Sequence, residues 1–395
     1  MNISQRTQKT QESPIRKLTS VANATKKRGV TVYHLNIGQP DIHTPEIFYQ
    51  KIAAYSEKVL AYGPSDGIEP LKTAMTAYFK RYGIELDKKD LVITTGGSEA
   101  IQFAFNVIAD PDDEIIIPEP FYTNYNGFAS LSGVKVVPVA TEAEAGFHLP
   151  PLEEFSKRLT PRTRAIMLCS PNNPTGTVYS EQELRQIGEF AKQHNLYLIA
   201  DEVYKEFTYE GKRHFSVLQI EELAEQVIVI DSISKRYSAC GARIGAVISK
   251  NEKVIKGILK FAQARLCPST LEQIGAAGAY SLPLDYFHDV MNEYQRRRDI
   301  LFKILTSHPD IVLQKPEGAF YIMAKLPIKD SDDFARWLLT DFESGHETVM
   351  VAPGAGFYST PGRGKSEVRL AYVLETGKLE RAGNLLIEAL KKYRP

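Results

Sequence analysis

Short apolar segments alternate with helical patterns between about residues 90 and 250, and this alternation constrains the fold more than any other feature of the sequence. The segments are rich in β-branched residues, and several are apolar on both faces, as strands of a buried parallel sheet are. They cover residues 91–94, 114–117, 134–139, 165–169, 196–200, 227–230 and 244–248. Residues 181–195 form a predicted helix between two of them, and Ser180 and Glu183 have capping-box spacing at its start. The pattern predicts an α/β fold in which helices flank a mostly parallel sheet.

A second set of elements follows residue 285. Periodicity predicts a long helix over 286–305, then strands over 320–324 and 368–373 and helices over 331–339 and 379–392. This order is typical of a smaller α+β domain. We therefore expect an N-terminal arm and part of the small domain in residues 1–45, a large domain in 46–285, and an interdomain helix with the small C-terminal domain in 286–395.

Charge and cysteine content exclude several classes of function. Lysine plus arginine equals aspartate plus glutamate at 48 each, so electrostatics gives no reason to expect a nucleic acid or a membrane as partner. Cys169, Cys240 and Cys267 are far apart, which argues against disulfides and against a metal site. The N-terminus lacks the apolar core of a signal peptide, and no apolar segment approaches membrane-spanning length. We expect a cytoplasmic protein that binds no metal.

Polar residues follow the predicted strands, at the edge of an α/β sheet where ligands bind. Thr95, Gly96, Gly97 and Ser98 come after the first strand and precede an apolar helix expected from Glu99. Glycines let the backbone approach a ligand closely, and the free N–H groups of a helix N-terminus attract an anion. The segment indicates a phosphate site, although paired glycines also suit any tight strand-to-helix turn.

Three further strand ends carry candidate residues. The segment around Asn173 contains two prolines and by itself indicates only a turn. Asp201 follows a buried strand, where a carboxylate needs a partner or caps the next helix. Lys235 stands among small hydroxyl residues after the strand at 227–230, with Arg243 shortly beyond. A lysine is usually a solvated surface residue, but in this crevice desolvation and neighbouring cations would lower its pKa and make it a Schiff-base nucleophile.

Together these segments resemble the fold-type I aminotransferases of class I/II, the aspartate aminotransferase family. The similarity runs in order over nearly the whole chain, from the segment at 36–41 to the segment at 368–372. The most specific pieces are Asn-Asn-Pro-Thr-Gly at 172–176, Asp-Glu-Val-Tyr at 201–204, and Ser-Ile-Ser-Lys at 232–235 with Arg243. The family implies a large domain that binds pyridoxal 5′-phosphate and a reaction that moves amino groups between amino acids and 2-oxo acids.

The resemblance implies a role for each residue around the cofactor ring. Lys235 would hold the cofactor as a Schiff base and would carry a proton between the substrate Cα and the cofactor C4′. Asp201 would pair with the protonated pyridine nitrogen and keep the ring an electron sink. Tyr204 and Asn173 would hydrogen-bond O3′ of the ring. Tyr122 would stack on the ring face, where many relatives have tryptophan.

The resemblance also implies a phosphate site and a dimer. The residues that would hold the phosphate are Gly97, Ser98, Ser232 and Arg243. Tyr62 resembles the tyrosine that reaches the phosphate of the neighbouring subunit. The implied assembly is a homodimer with a shared active site.

Substrate binding follows from the same resemblance. Arg369 matches the arginine that holds the α-carboxylate, which a planar guanidinium fits with two hydrogen bonds; alternatively, it faces solvent from an alternating strand. Gly38 would offer its backbone on a mobile segment that closes over the substrate, and Asn173 would contribute to the same site. In relatives specific for dicarboxylates, a second arginine from the partner reads the side-chain carboxylate, and Arg265 is the candidate here. Its flanking residues differ from the family pattern, and a small gap is needed to align it.

The donor therefore stays open at this point. Arg16, Arg363 and Lys365 lie near the predicted mouth and are further candidates for a side-chain reader. The leading donors are aspartate and glutamate with 2-oxoglutarate as acceptor. Aromatic, branched and other neutral amino acids are the alternative.

Competing functions differ in the motifs that they need. A pyridoxal-phosphate lyase cleaving a C–S bond would use the same Lys235, Asp201 and Arg369. Ser232 and Lys235 fit the Ser-x-x-Lys of penicillin-binding hydrolases, but the partner motifs Ser-Asp-Asn and Lys-Thr-Gly do not occur. Gly-x-Gly-x-x-Gly of nicotinamide enzymes is also missing, and Ser359 stands where a nucleotide-binding loop at 359–366 would need its first glycine. A DNA-binding regulator on this fold needs a further domain, for which the chain has no room before Gly38.

Overall fold

The computed structural model describes residues 1–394, whose strands form three sheets. The strands are β1 (Thr31–His34), β2 (Leu91–Thr94), β3 (Glu114–Glu119), β4 (Lys135–Ala140), β5 (Thr163–Cys169), β6 (Tyr197–Asp201), β7 (Val227–Ser232), β8 (Gly245–Ile248), β9 (Tyr321–Lys325), β10 (Glu347–Met350), β11 (Ala352–Pro353) and β12 (Glu367–Ala371). The α-helices are α1 (Gln5–Lys9), α2 (Thr19–Lys27), α3 (Glu46–Ala53), α4 (Glu69–Lys80), α5 (Gly96–Ile108), α6 (Asn124–Ser132), α7 (Leu152–Ser156), α8 (Glu181–Gln193), α9 (Ile233–Arg236), α10 (Glu252–Arg265), α11 (Thr270–Tyr280), α12 (Tyr286–Leu305), α13 (Ser331–Thr340) and α14 (Thr376–Lys392).

The large sheet has seven strands in the order β2-β8-β7-β6-β5-β3-β4. Strands β3 to β7 pair in parallel, whereas β8 runs antiparallel to both β2 and β7. Successive residues of β6 point to opposite faces, so Leu198 and Ala200 pack in one apolar cluster and Ile199 packs in another. Helices cover both faces, which is why the strands are apolar on both sides. The predicted mostly parallel α/β sheet is confirmed.

Local sequence explains where the connecting helix α8 begins and ends. The Glu183 N–H donates to Ser180 Oγ, and the Ser180 N–H donates to Glu183 Oε2, so the predicted capping box is present. The helix ends at Gln193, two residues before the predicted end, because Asn195 has a φ of 54° in the left-handed region.

The C-terminal part contains the two smaller sheets. Strands β11, β12 and β9 form an antiparallel sheet, and β1 pairs in parallel with β10. Helix α12 lies between the two parts, since Phe287 packs with the large sheet and Tyr294 and Leu301 pack with the small sheets. The contact of β1 with β10 supports our proposal that residues 1–45 belong partly to the small domain, next to a large domain at 46–285 and a C-terminal part from 286. Within residues 1–394, no helix combines the length and apolarity needed to cross a bilayer.

Candidate active site

The carboxyl ends of β5, β6 and β7 bring three predicted residues to one edge of the large sheet. These strands are neighbours and parallel, so the residues that follow them lie close together. Asn173 follows β5, Asp201 ends β6, and Lys235 lies in the short helix α9 directly after β7. The Ser234 N–H donates to Ser232 Oγ at 3.1 Å, which fixes the start of α9.

The amine of Lys235 faces the N-terminal segment and a thiol. Its Nζ donates to the Gly38 carbonyl oxygen at 2.8 Å and lies 3.8 Å from Cys240 Sγ. Desolvation lowers the pKa of Lys235; Cys240 counteracts this, and the charges of Arg369 and Arg243 lower the pKa further. A larger fraction of the amine is therefore neutral near physiological pH, which is the state that attacks a carbonyl carbon.

Asp201 is a buried carboxylate without a cation among the residues that the structure describes. It is 4% exposed and accepts hydrogen bonds from the Tyr125 hydroxyl at 2.7 Å and from the Val203 N–H at 3.3 Å. Burial raises the pKa of Asp201 to about 6, although both hydrogen bonds lower it. A protonated ring nitrogen would supply the missing positive charge.

The start of α5 lies directly beside Arg243, an arrangement that can bind an anion. The helix begins at Gly96, three residues before the predicted start, and Gly96 has a φ of 78°. A Cβ on Gly96 would lie 2.3 Å from Arg243 Nη2, so the guanidinium rests directly on the helix N-terminus. Ser232 is also adjacent, because its Cβ would lie 3.8 Å from a Cβ on Gly97. Ser98 lies in the first turn, so free N–H groups and a guanidinium converge where a phosphate fits.

Arg369 points into the site rather than to solvent. It is 1% exposed, and its guanidinium donates to Asn173 Oδ1 at 2.9 Å and to the Asn36 carbonyl oxygen at 2.5 Å. The same group lies 4.5 Å from the ring centre of Tyr321 and 5.0 Å from that of Phe357. Its Nε has no hydrogen-bond partner among the described residues, so a donor remains for a carboxylate.

Tyr321 packs directly against Gly38 and is hydrogen-bonded to Tyr204. The hydroxyls of Tyr204 and Tyr321 are 2.7 Å apart. A Cβ on Gly38 would lie 2.0 Å from the Tyr321 hydroxyl oxygen, so only glycine brings the backbone this close. The close contact sets the Gly38 carbonyl oxygen in reach of Lys235.

Tyr122 lies shortly after the end of β3 and packs beside Tyr125. Asn124 Nδ2 donates to its hydroxyl at 2.9 Å, and its ring meets that of Tyr125 edge to face. Burial raises the pKa of Tyr122 and so does Asp201, whereas Arg369, Arg16 and Arg243 lower it. The pKa of Tyr122 therefore responds both to Asp201 at the end of β6 and to the charge of Arg16.

Arg265 and Tyr62 lie in a different part of the fold. Arg265 Nη2 donates to the carbonyl oxygens of Ser65 and Ile93, at 3.2 and 3.1 Å, and its Nε lies 3.6 Å from Glu99. Tyr62 is 82% exposed. Neither residue contacts Lys235, Asp201 or Arg369 within the described chain.

Of the other mouth candidates, Arg363 is already paired. Its Nη2 donates to Glu142 Oε1 at 3.0 Å and to the Thr141 carbonyl oxygen at 3.1 Å. Arg16 is exposed and has no ion pair among the described residues.

Three site residues were not predicted from the sequence. Tyr125 follows Tyr122 by one helical turn, which is a usable signal for a second inward-facing ring. Cys240 lies shortly after Lys235 in the sequence, beyond the end of α9. Tyr321 had no local signal, because its position depends on β9 pairing with β12, which carries Arg369.

The residues present fit pyridoxal phosphate. A partly desolvated amine suits its aldehyde, a buried carboxylate without a cation suits its ring nitrogen, and the α5 N-terminus with Arg243 suits its phosphate. The buried guanidinium of Arg369 suits the carboxylate of an amino acid beside it.

The chain is similar in sequence and in fold to known proteins of one family. A profile of the family described as aminotransferase class I and II matches residues 30–384. The chain is 33% identical over 387 residues to an aspartate aminotransferase of Bacillus subtilis, covering 95% of this chain and 94% of that protein. It is 32% identical to aromatic-amino-acid aminotransferase 2 of Thermococcus litoralis, with full coverage of both (100% each). The solved alanine aminotransferase from Pyrococcus furiosus superposes with a TM-score of 0.91 at 32% identity, over 99% of this chain and 100% of that one.

Proposed function

Because this chain belongs to the family of class I and II aminotransferases, we propose that it transfers the amino group of aspartate or glutamate to a 2-oxo acid such as 2-oxoglutarate. The enzyme is a transaminase that uses pyridoxal 5′-phosphate and acts on amino acids and 2-oxo acids. Its relatives are named as aminotransferases of aspartate, of aromatic amino acids and of alanine, so their names do not identify the amino donor of this enzyme. We therefore infer the donor from the residues of the site. We also propose that it works in the cytoplasm, which the sequence predicts.

A free arginine beside the mouth carries the proposal of an acidic donor. Arg16 is exposed and unpaired among the described residues, and its charge acts on Tyr122. Its neighbour Ile15 accepts a hydrogen bond from Asn36 Nδ2 at 2.9 Å, and the Asn36 carbonyl oxygen accepts from Arg369. The charges of Arg16 and Arg369 both lower the pKa of Tyr122, so two guanidinium groups act on the same ring, which favours a substrate with two carboxylates. Arg265 of the neighbouring subunit is the second candidate reader.

The chain's own groups account for the steps of the reaction. Pyridoxal phosphate, when bound, supplies an aldehyde and an electron-accepting ring. Arg369 holds the α-carboxylate and thereby orients the Cα–H bond toward Lys235. Lys235 would take the proton from Cα and return it at C4′, and its lowered pKa suits a base that works near neutral pH. Asp201 would keep a positive charge on the ring nitrogen, and Tyr204 and Asn173 would hold the hydroxyl side of the ring.

We further propose a homodimer in which Tyr62 completes the phosphate site of the partner. Val59, Leu60, Tyr62 and Leu266 are large apolar residues that are 72%, 57%, 82% and 49% exposed. Gly63 N donates to Cys267 Sγ at 3.3 Å, which joins the two segments that carry this apolar surface. An exposed apolar surface of this kind is typical of a subunit interface.

A donor panel tests the proposed substrate. Aspartate, glutamate, alanine, phenylalanine and leucine would be assayed with 2-oxoglutarate for the wild type, Arg16→Ala and Arg265→Ala. We expect kcat/KM of Arg16→Ala to fall roughly tenfold or more for the acidic donors, because a charged contact is lost, and to change little for neutral donors. Arg336→Ala is the matched control, since Arg336 is exposed on α13.

The panel also has results that would contradict the proposal. Equal losses for acidic and neutral donors would remove Arg16 as the reader, and a selective loss in Arg265→Ala would assign the role to the partner's arginine position. A wild-type enzyme that prefers neutral donors would overturn the acidic donor altogether.

A further inference from the structure

The thiol of Cys240 lies beside the amine of Lys235 and has no part in the steps described above. Cys240 Sγ donates to the Ser234 carbonyl oxygen at 3.1 Å and lies 3.8 Å from Lys235 Nζ. The Cys240 side chain is half-buried, and Lys235 Nζ also donates to the Gly38 carbonyl oxygen. The amine therefore has two acceptors, one strong oxygen and one weak sulfur.

The main chain of Cys240 contacts the phosphate arginine. Arg243 Nη1 donates to the Cys240 carbonyl oxygen at 3.0 Å. The same guanidinium rests on Gly96 at the start of α5. One residue thus touches the lysine amine with its side chain and the anion-binding arginine with its carbonyl.

The segment 238–243 is also tied to the N-terminal segment. Thr44 Oγ1 donates to the Ser238 carbonyl oxygen at 2.9 Å. Ser238 and Arg243 have φ values of 50° and 54°, which side chains other than glycine adopt at a cost in free energy. Contacts of residues 238–243 with their neighbours offset that cost in free energy. The backbone conformation of the segment therefore depends on its surroundings rather than on local backbone preference.

We propose that Cys240 is a positioning residue that holds the ε-amine of Lys235 when the amine is not bonded to the cofactor, and that its segment links the amine to Arg243. The proposal rests on the role of Lys235 in the proposed function. In the aldehyde form of the enzyme the nitrogen is bonded to the cofactor, and in the amino form it is free to return to Gly38 and Cys240. An amine that lies beside the sulfur in one form and away from it in the other changes the surroundings of the thiol, so the reactivity of Cys240 reports where the amine is.

Thiol alkylation of the wild-type holoenzyme tests this directly. The enzyme would be converted to the aldehyde form with a 2-oxo acid or to the amino form with an amino acid, desalted, and treated with iodoacetamide near neutral pH. Peptide mass spectrometry would follow thioether formation at Cys240, with Cys267 in the same molecule as the internal reference. We expect the rates of Cys240 alkylation in the two forms to differ about threefold or more, and Lys235→Ala enzyme loaded with each form to lose the difference. Equal rates in both wild-type forms would overturn the proposal.

Two variants separate positioning from packing. Cys240→Ala removes the sulfur, and we expect kcat to fall roughly threefold to tenfold with KM little changed and the pH profile of kcat displaced, because the amine is less well held. Cys240→Ser keeps a hydroxyl acceptor and should restore part of kcat. An unchanged kcat and pH profile in Cys240→Ala would overturn the proposal. That result would leave transamination itself intact, whereas failure of the proposed function would show as absence of turnover and cofactor in the wild type.

Discussion

The Tyr125 hydroxyl donates a 2.7 Å hydrogen bond to the Asp201 carboxylate at the end of β6. Both groups are buried, and this bond is one of two that counteract the desolvation of the carboxylate. Their contact gives Asp201 a fixed orientation and keeps its pKa from rising further above about 6.

Tyr125→Phe should weaken the binding of pyridoxal phosphate. Without the hydrogen bond Asp201 ionises less readily, and we expect cofactor affinity to fall roughly threefold to tenfold, the equivalent of about 1 kcal/mol. Spectroscopic titration of the cofactor-free protein with pyridoxal phosphate measures this affinity. Tyr33→Phe is the matched control, since the Tyr33 hydroxyl bonds Glu347 in the small-sheet part at 2.6 Å. Equal affinity in wild type and Tyr125→Phe would contradict the account.

The pH dependence of the cofactor-free protein should reveal the buried Asp201. Its folded pKa of about 6 lies above the unfolded value, so the folded state holds the proton more tightly. Stability therefore falls as pH rises from the unfolded pKa through about 6. Between about pH 5 and about pH 7.5 the wild type should lose about 1 kcal/mol more unfolding free energy than Asp201→Asn, as urea titrations would measure. Identical pH dependence in the two proteins would show that Asp201 is not a desolvated acid.

Arg369→Lys should impair every donor alike. The α-carboxylate is common to all amino acids, and lysine cannot reproduce the planar pair of donors. We expect kcat/KM to fall roughly tenfold to a hundredfold for acidic and neutral donors together. Arg381→Lys, which alters an arginine paired with Glu347 at 2.6 Å, serves as control. A loss confined to acidic donors would mean that Arg369 reads the side chain instead.

Mixed dimers should recover activity if Tyr62 acts across an interface. Alone, Lys235→Ala subunits would be inactive and Tyr62→Ala subunits would be weakly active. After dissociation and equal mixing, half of the random dimers carry one intact site, so we expect roughly a quarter of wild-type activity. No recovery, with hybrid dimers demonstrated by native mass spectrometry, would place Tyr62 outside the partner's site.

The sequence predicted the sheet well because its strands are buried on both faces. The predicted run at 227–230 is apolar throughout and lies within β7, which continues to Ser232, and β2 and α12 have the predicted bounds. Strand ends in a parallel sheet meet at one edge, which is why Asp201 and Lys235 were identifiable as neighbours.

Residues that depend on long-range packing were not predictable in this way. Tyr321 reaches Tyr204 and Gly38 only because β9 pairs with β12 in the small sheet, a register that no local pattern specifies. The environment of Arg265 likewise depends on where Ser65 and Ile93 come together. The effect of the Arg16 charge on the pKa of Tyr122 likewise depends on the fold of the N-terminal segment.

Covalent trapping of the cofactor identifies directly which lysine forms the Schiff base. The chain contains another buried lysine, Lys205, whose pKa burial lowers to about 8, so Lys235 has a competitor with similar desolvation. Borohydride reduction of the yellow holoenzyme, followed by peptide mass spectrometry, identifies the modified residue. We expect pyridoxyl phosphate on Lys235, and we expect Lys235→Ala to lose both the absorbance band and turnover. Attachment at Lys205, or a colourless Lys235→Ala enzyme that still transaminates, would contradict this expectation.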